Sequence, residues 1–154
     1  MQFEGDQDFP LPPDQVWPRL SDARFLVDSL KNTEEVLQRE PDQAAWRIKP
    51  AASFIAGTMD THLQIVERKP PDEMKVVLAS KGIGSSSVTT VKLVLMPRES
   101  GSRIHWQAEI TEMTGLLKMI PKGLIQGTAR KVIEDVWAGV EERLRGGNHD
   151  KVTG

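Results

Sequence analysis

The stretch LIQGTARKVIEDVWAGVEERL, residues 124–144, decides the fold of this chain. Its apolar side chains recur at spacings of three and four, and charged side chains fill the opposite side. This periodicity predicts an amphipathic helix from Gly123 to about Arg145. At about 1.5 Å per residue the helix would be roughly 34 Å long, which is enough to cross a β-sheet.

Six segments with an apolar period of two precede this helix. They are TEEVLQRE, AAWRIKP, GTMDTHLQIVERK, EMKVVLASKG, SVTTVKLVLMP and SRIHWQAEITE. The residues between them are typical of turns, such as Pro70-Pro71-Asp72 and Glu99-Ser100-Gly101. Short turns between consecutive strands predict an antiparallel meander.

The N-terminal region predicts one more strand and two short helices. Residues 2–9 are interpreted as the first strand, which the proline cluster at 10–13 ends. PPDQVWPRLSD (12–22) predicts a short helix, because Pro13 suits a first helical position. Ser21 and Asp22 are candidate caps for a second short helix, ARFLVDSL.

The alternation along the strands assigns their two faces. Met59, Thr61, Leu63 and Ile65 share one face of their strand, and the residues between them are polar. A sheet with one apolar and one polar face is covered on one side only. We therefore expect the C-terminal helix to pack against the apolar face.

The bulk composition excludes several classes of protein. The 154 residues suit one domain, predicted as 1–146 followed by a flexible polar tail at 147–154. A net charge of -2 gives no basic surface for nucleic acid, and the lack of cysteine excludes disulfides and thiolate catalysis. The acidic start MQFEGDQDF predicts no signal peptide. No apolar run of about 18 residues predicts a transmembrane helix.

The residues that could carry chemistry are few. Asp60 and His62 resemble an acid–base pair, but they fall on the polar face, so a solvated surface is favoured. His105 also points away from the apolar face, and no two histidines share a short metal-binding motif. KGIGSSS (81–87) invites comparison with a phosphate-binding loop but lacks its spacing, so a turn between strands is favoured. These features favour a protein that is not an enzyme and needs no cofactor.

The order of strand, two short helices, six strands and one long helix resembles the START-like, pollen-allergen-like helix-grip proteins of the SRPBCC superfamily. AGTMDTHLQIVERKPPDEMKVVLASKGIGSSS resembles the central hairpin of that family, and residues 124–144 resemble its long C-terminal helix. Together with PPDQVWPRLSD they are most similar to the branch that contains CoxG, the G subunit of carbon monoxide dehydrogenase. The resemblance covers about residues 2–145. It implies an α+β fold in which a curved seven-stranded antiparallel sheet wraps around the C-terminal helix.

The same resemblance implies an apolar cavity between the sheet and the long helix. Thr61, Ser80 and Thr89 are candidate hydroxyls for a ligand carbonyl, or for bonds with each other. The residues expected to line the cavity are Met59, Thr61, Leu63, Leu78, Leu93, Trp106, Ala108, Ile110, Ile125, Ala129, Ile133 and Trp137. An empty apolar void of that kind is costly, so we expect either that a ligand fills it or that the helix settles onto the sheet.

The connector GLLKMIPKGLI (115–125) is unusually apolar for a surface segment. It is interpreted as a lid over the cavity mouth, with Lys118 and Lys122 placed to touch lipid phosphates. Closure of the core at one end is the alternative. The residues assigned to the mouth and lid are Glu112, Met113, Leu116, Leu117, Met119 and Ile120, and Glu112 is expected to continue the inward face of its strand.

The resemblance implies that the chain carries a hydrophobic small molecule, a quinone or other lipid, for a carbon monoxide dehydrogenase-type redox enzyme. A polyketide cyclase- or dehydratase-like enzyme acting in the same cavity is one alternative. An assembly or docking factor for a molybdenum-containing dehydrogenase is another. The expected location is cytoplasmic, with transient contact at the inner face of the membrane through residues 115–123. A permanent C-terminal membrane anchor is not expected.

Overall fold

The computed structural model describes residues 1–31, 33–49 and 57–153, and for 147–153 it describes the backbone alone. The elements follow the predicted order. They are β1 (Gln2–Phe9), α1 (Pro13–Leu20), α2 (Ala23–Asp28), β2 (Thr33–Arg39), β3 (Gln43–Ile48), β4 (Met59–Lys69), β5 (Glu73–Gly82), β6 (Ser85–Arg98), β7 (Gly101–Gly115), a 3₁₀ helix (Leu116–Met119) and α3 (Lys122–Thr153). The predicted helix-grip fold is confirmed.

The strands form one antiparallel sheet in the order β1-β7-β6-β5-β4-β3-β2. Strands β2 to β7 are a meander, as predicted from their short turns. The first strand instead pairs with the last, from Gln2 opposite Glu109 to Phe9 opposite Ser102. Asp22 caps α2 as predicted, because its side chain accepts a hydrogen bond from the backbone N–H of Arg24 at 2.9 Å.

Two elements extend beyond their predicted ends. Strand β7 continues to Gly115, and α3 continues past Arg145 to Thr153. The polar sequence after Arg145 resembles a tail because it contains two glycines, yet its backbone continues the helix. The flexibility predicted for residues 147–154 stays a prediction.

A solid core fills the end of the sheet where β1 meets β7. The Trp106 ring lies over Gly5, at which a Cβ atom would come within 2.6 Å of the indole. Phe3 packs edge-on against the same indole, with ring centroids 5.9 Å apart. The Arg130 guanidinium of α3 lies 5.7 Å from the Trp106 ring and donates to the Glu4 carbonyl at 2.8 Å. The edge strand β1 is thereby covered by α3.

The C-terminal half of α3 is seated on the rest of the protein. Val140 and Leu144 are buried there. A Cβ atom at Gly139 would come within 2.3 Å of the Ser29 carbonyl oxygen, so the absence of a side chain allows the close approach of α3 to the end of α2. In the N-terminal half, the apolar residues Leu124 and Val132 remain 50% and 47% exposed. The helix therefore rests on its second half and leaves a space under its first.

Asp8 joins three strands at one corner of the sheet. Its carboxylate accepts from Arg103 Nε at 2.7 Å and also forms an ion pair with Arg98. Hydrogen bonds from Arg103 and then Arg98 lower the pKa of Asp8 from 3.8 to about 2. Because the folded-state pKa is the lower one, the ionised carboxylate stabilises the fold above pH 3.8, and this contribution disappears as the pH falls through about 2.

We expect the Asp8→Asn variant to be less stable than the parent protein at neutral pH and to approach it in stability near pH 2. The reason is that acid removes from the parent the ion pairs that the variant lacks. Urea unfolding at a series of pH values from neutral to about 2 measures the difference. Glu99→Gln is the control, since Glu99 is exposed and forms no ion pair within the described part of the chain. A stability gap for Asp8→Asn that does not narrow in acid would contradict this assignment.

Candidate functional site

A cavity of about 320 Å³ lies between α3 and the inner face of the sheet. Its wall is built from strands β3 to β7, the end of α2, the 3₁₀ helix and the first half of α3. It opens to solvent beside α3, because Leu124 and Val132 both line it and are half exposed. The raised first half of α3 is thus what creates the space.

Most of the residues predicted for the cavity lie in its wall. These are Met59, Thr61, Leu63, Leu78, Leu93, Ile110, Ile125, Ala129, Ile133 and Trp137. Trp106 and Ala108 lie on the same face of β7 but do not line the cavity. Phe3 and Gly5 of β1 stand opposite them in register, and Trp106 and Ala108 are buried in the solid core there. That these wall residues bind a ligand stays a prediction.

Several wall residues are absent from the set predicted from the sequence. Leu26 and Leu30 reach the cavity from α2 and the residues that follow, and Trp46 and Ile48 reach it from β3. The alternation in AAWRIKP places Trp46 and Ile48 on one face, and this signal is present in the sequence. The spacing of four between Leu26 and Leu30 likewise places them on one helical face. Ser87, Val76 and Val91 complete the inner surface of β5 and β6.

One row of side chains across the sheet is polar. Thr61 pairs in register with Ser80, and Ser80 pairs with Ser87, so three hydroxyls stand side by side on β4, β5 and β6. Trp46 and Met113 flank them on β3 and β7, and all five line the cavity. The Thr61 and Ser80 hydroxyls share one hydrogen bond of 2.9 Å. Two hydroxyls that share one bond keep one O–H free to donate.

The next row into the cavity is mostly apolar. Leu63, Leu78, Thr89 and Ile110 stand side by side on β4 to β7. The wall therefore changes from hydroxyl-bearing to hydrocarbon over one strand period. Such a surface suits a molecule with a small polar group and a larger apolar body.

Ionisable groups are confined to the outer edge of the cavity. Lys131 and Asp135 of α3 are the charged residues in the wall; they pair with each other at 3.3 Å, and both side chains are exposed. Within residues 1–31, 33–49 and 57–153, no group of three or more His, Asp or Glu side chains could hold a metal ion. The cavity interior, as far as the structure describes it, offers no general acid or base.

The acid–base candidates lie on the outer face of the sheet, as predicted. Asp60 forms an ion pair with Arg47 at 2.8 Å, and this pairing lowers the pKa of Asp60. His62 Nε2 lies 3.0 Å from the side-chain oxygen of Gln43. His105 Nδ1 lies 2.9 Å from Asp6. None of these side chains reaches the cavity.

A register shift decides which residue of β7 reaches the cavity mouth. Thr89 stands opposite Ile110, but the preceding Val88 stands opposite Glu112, so the pairing skips Thr111. This bulge reverses the alternation beyond Ile110. Met113 consequently lines the cavity and Glu112 is exposed outside it. The predicted inward position of Glu112 is wrong for this reason.

The lid segment, residues 112–123, has apolar side chains on two sides. Leu117 and Ile120 line the cavity together with Met113. Leu116 and Met119 face outward and are 54% and 80% exposed. Lys118 and Lys122, beside them, are also exposed. The lid segment therefore covers the cavity with one side and presents apolar and cationic groups to the outside with the other.

A tight turn holds the start of the lid segment. Ile83 and Gly84 form a two-residue turn between β5 and β6, both with positive φ, so KGIGSSS is a turn between strands as predicted. Positive φ is uncommon for a β-branched residue such as Ile83. Gly115, with φ 69°, lies against this turn, and a Cβ atom there would come within 1.8 Å of the Gly84 carbonyl oxygen. The lid segment thus leaves β7 through a position that only glycine fits.

A family model for CoxG, the G subunit of carbon monoxide dehydrogenase, matches residues 5–145. No curated protein sequence matches the chain significantly. Among the described residues no helix is long and apolar enough to cross a membrane.

Solved structures share the fold at low sequence identity. A conserved protein from Geobacillus kaustophilus has a TM-score of 0.81 and 16% identity, over 94% of this chain and 95% of that chain. A protein from Thermus thermophilus has a TM-score of 0.64 and 18% identity, over 96% and 99%. A START superfamily protein from Mycobacterium smegmatis has a TM-score of 0.67 and 8% identity, over 94% and 97%. At these identities the likeness shows the fold alone.

Proposed function

The chain belongs to the CoxG family, named for the G subunit of carbon monoxide dehydrogenase, and we propose that it carries a hydrophobic small molecule, a quinone or another lipid, in the cavity under α3. The observation that supports this most is the chemistry of the wall. It consists of aliphatic and aromatic side chains with one row of hydroxyls, and its charged pair lies at the exposed edge. A cyclase or dehydratase would require an ionisable group inside the cavity to move a proton.

The size of the cavity also supports an occupant. An apolar void costs about 24 cal/mol per Å³ in engineered proteins, so a dry space of about 320 Å³ would cost on the order of 8 kcal/mol. This cost is comparable with the whole stability of many domains. Water that enters from the open side instead wets the apolar wall, which is also unfavourable. A hydrophobic ligand removes both costs.

The experiment that tests the carrier proposal is mass spectrometry of an organic extract of the protein purified from its native host. We expect an isoprenoid quinone or other lipid at close to one molecule per chain. An unrelated protein taken from the same host through the same steps is the control for adsorbed lipid. An extract without any stoichiometric hydrophobic compound would contradict the proposal and favour an assembly or docking factor.

We further propose that the outer side of the lid segment contacts a lipid bilayer while the ligand is exchanged. Leu116 and Met119 would enter the acyl region, and Lys118 and Lys122 would meet lipid phosphates. An apolar side chain that is 80% exposed next to two lysines suits such a surface better than it suits bulk water. Delivery of the ligand to a carbon monoxide dehydrogenase-type redox enzyme would complete the cycle.

The double variant Leu116→Asp/Met119→Asp is expected to lower partitioning onto phosphatidylglycerol vesicles by at least about tenfold. Each side chain contributes up to about 1.5–3 kcal/mol when it leaves water, and about 1.4 kcal/mol corresponds to a tenfold change. Vesicle co-sedimentation measures the partitioning. Val36→Asp/Leu37→Asp is the matched control, because these apolar residues are exposed on β2, away from the lid segment. Equal losses in both double variants would contradict a lid-mediated contact.

A further inference from the structure

Trp137 of α3 has a buried hydrogen-bond donor with no acceptor. The residue is 5% exposed and its ring lines the cavity. Its indole Nε1 is out of contact with solvent, and no acceptor in the described part of the chain is within hydrogen-bonding distance of it. No other side-chain nitrogen or oxygen atom among the described residues is buried in this way without a partner.

An unpaired buried donor is unfavourable, and the great majority of buried polar groups in native proteins have a partner. The indole N–H can only donate, so a carbonyl, an ether oxygen or a similar acceptor must satisfy it. The described protein groups around Trp137 do not supply one. The remaining source is the content of the cavity that the ring lines.

The surroundings of Trp137 hold its ring in place. Gly139, two residues away, lies directly against the Ser29 carbonyl, and Val140 is fully buried, so this part of α3 is fixed to the rest of the protein. A donor on a fixed element is already oriented before a ligand arrives. At about 1.5 Å per residue, Trp137 lies roughly 22 Å along α3 from Lys122, next to the lid segment. The donor therefore belongs to the end of the cavity far from the lid.

We infer that Trp137 donates a hydrogen bond to an oxygen atom of the ligand, and that it selects hydrophobic molecules that carry such an acceptor over pure hydrocarbons. This inference rests on the proposed carrier function and adds the ligand's polar chemistry and orientation. The acceptor-bearing end enters first and lies at Trp137. The apolar remainder then extends toward the lid segment.

Two probes of nearly the same shape test the inference: 2-acetylnaphthalene, which carries a carbonyl acceptor, and 2-isopropylnaphthalene, which does not. Their dissociation constants are measured by titration calorimetry for the parent protein, Trp137→Phe and Trp46→Phe. Trp46 is the matched control, because it lines the same cavity and the substitution removes the same atoms. Circular dichroism establishes that each variant is folded.

We expect Trp137→Phe to weaken the binding of the ketone about 2- to 12-fold more than that of the hydrocarbon, the range for one hydrogen bond. Trp46→Phe should change both probes by similar factors. In the parent protein, the carbonyl stretching band of bound 2-acetylnaphthalene should shift to lower frequency than in hexane, and this measurement needs no variant.

Equal effects of Trp137→Phe on the two probes, or an unshifted carbonyl band in the parent protein, would overturn the inference while leaving the carrier proposal intact. A water molecule that satisfies the indole would produce that result. If the parent protein binds neither probe, the carrier proposal itself fails and the inference fails with it. The two failures are therefore distinguishable.

Discussion

The Ala129→Phe variant is expected to bind 2-isopropylnaphthalene about 10- to 100-fold more weakly than the parent protein. Ala129 lies on α3 and lines the cavity directly. A phenyl ring at this position would occupy space that the ligand needs, and overpacking of this kind typically costs about 1–3 kcal/mol. A tenfold change in affinity corresponds to about 1.4 kcal/mol. Titration calorimetry measures the change, and organic extracts of the two proteins compare their native ligand content.

Ala138→Phe is the matched control for this prediction. Ala138 is on the same helix but is exposed and does not line the cavity. The two substitutions share the same cost in helix propensity, so a general loss of helix stability would affect both alike. If Ala129→Phe retains the affinity of the parent protein, the ligand is bound somewhere other than under α3.

The Gly115→Ala variant is expected to lose about 2–6 kcal/mol of unfolding free energy and to displace the lid segment. Gly115 has φ 69° and ψ −140°, a region in which residues with a Cβ atom are strained by about 1–3 kcal/mol. The new Cβ atom would also lie 1.8 Å from the Gly84 carbonyl oxygen, so the turn between β5 and β6 must move. Overpacking of that kind adds about 1–3 kcal/mol. Urea unfolding measures the loss.

Gly123→Ala is the control at the other end of the lid segment. It lies in the first turn of α3, and no atom would come within 4 Å of an added Cβ. Alanine is favoured over glycine in a helix by up to about 1 kcal/mol, so this variant should be as stable as the parent protein or more stable. A neutral Gly115→Ala would show that the connection between β7 and the lid segment is looser than its geometry indicates.

The residues of the candidate site follow from the sequence only where a strand stays regular. Alternation from Ile104 to Ile110 correctly indicates the inner face of β7, but the register shift at Thr111 exchanges the roles of Glu112 and Met113. A bulge of this kind depends on how the partner strand pairs. The sequence of one strand does not contain that information.

The height of α3 above the sheet is a second property that the sequence does not contain. Trp106 and Ile133 both fall on predicted inner faces. Trp106 is covered by β1 and Arg130, whereas Ile133 lines the cavity. The difference arises because Gly139 seats one half of the helix against Ser29 and leaves the other half raised. Whether an inward side chain becomes core or cavity wall depends on that seating.

The sequence by itself determined the kind, order and approximate ends of the helices and strands, because periods of two and of three to four are local properties of the chain. It also determined that one face of the sheet is apolar and that a long helix is available to cover it. Tertiary structure alone decided the pairing of Thr61, Ser80 and Ser87 into one row, the outward position of Leu116 and Met119, and the unpaired indole of Trp137. Each of these depends on residues far apart in the sequence meeting in space, and a local pattern does not specify such meetings.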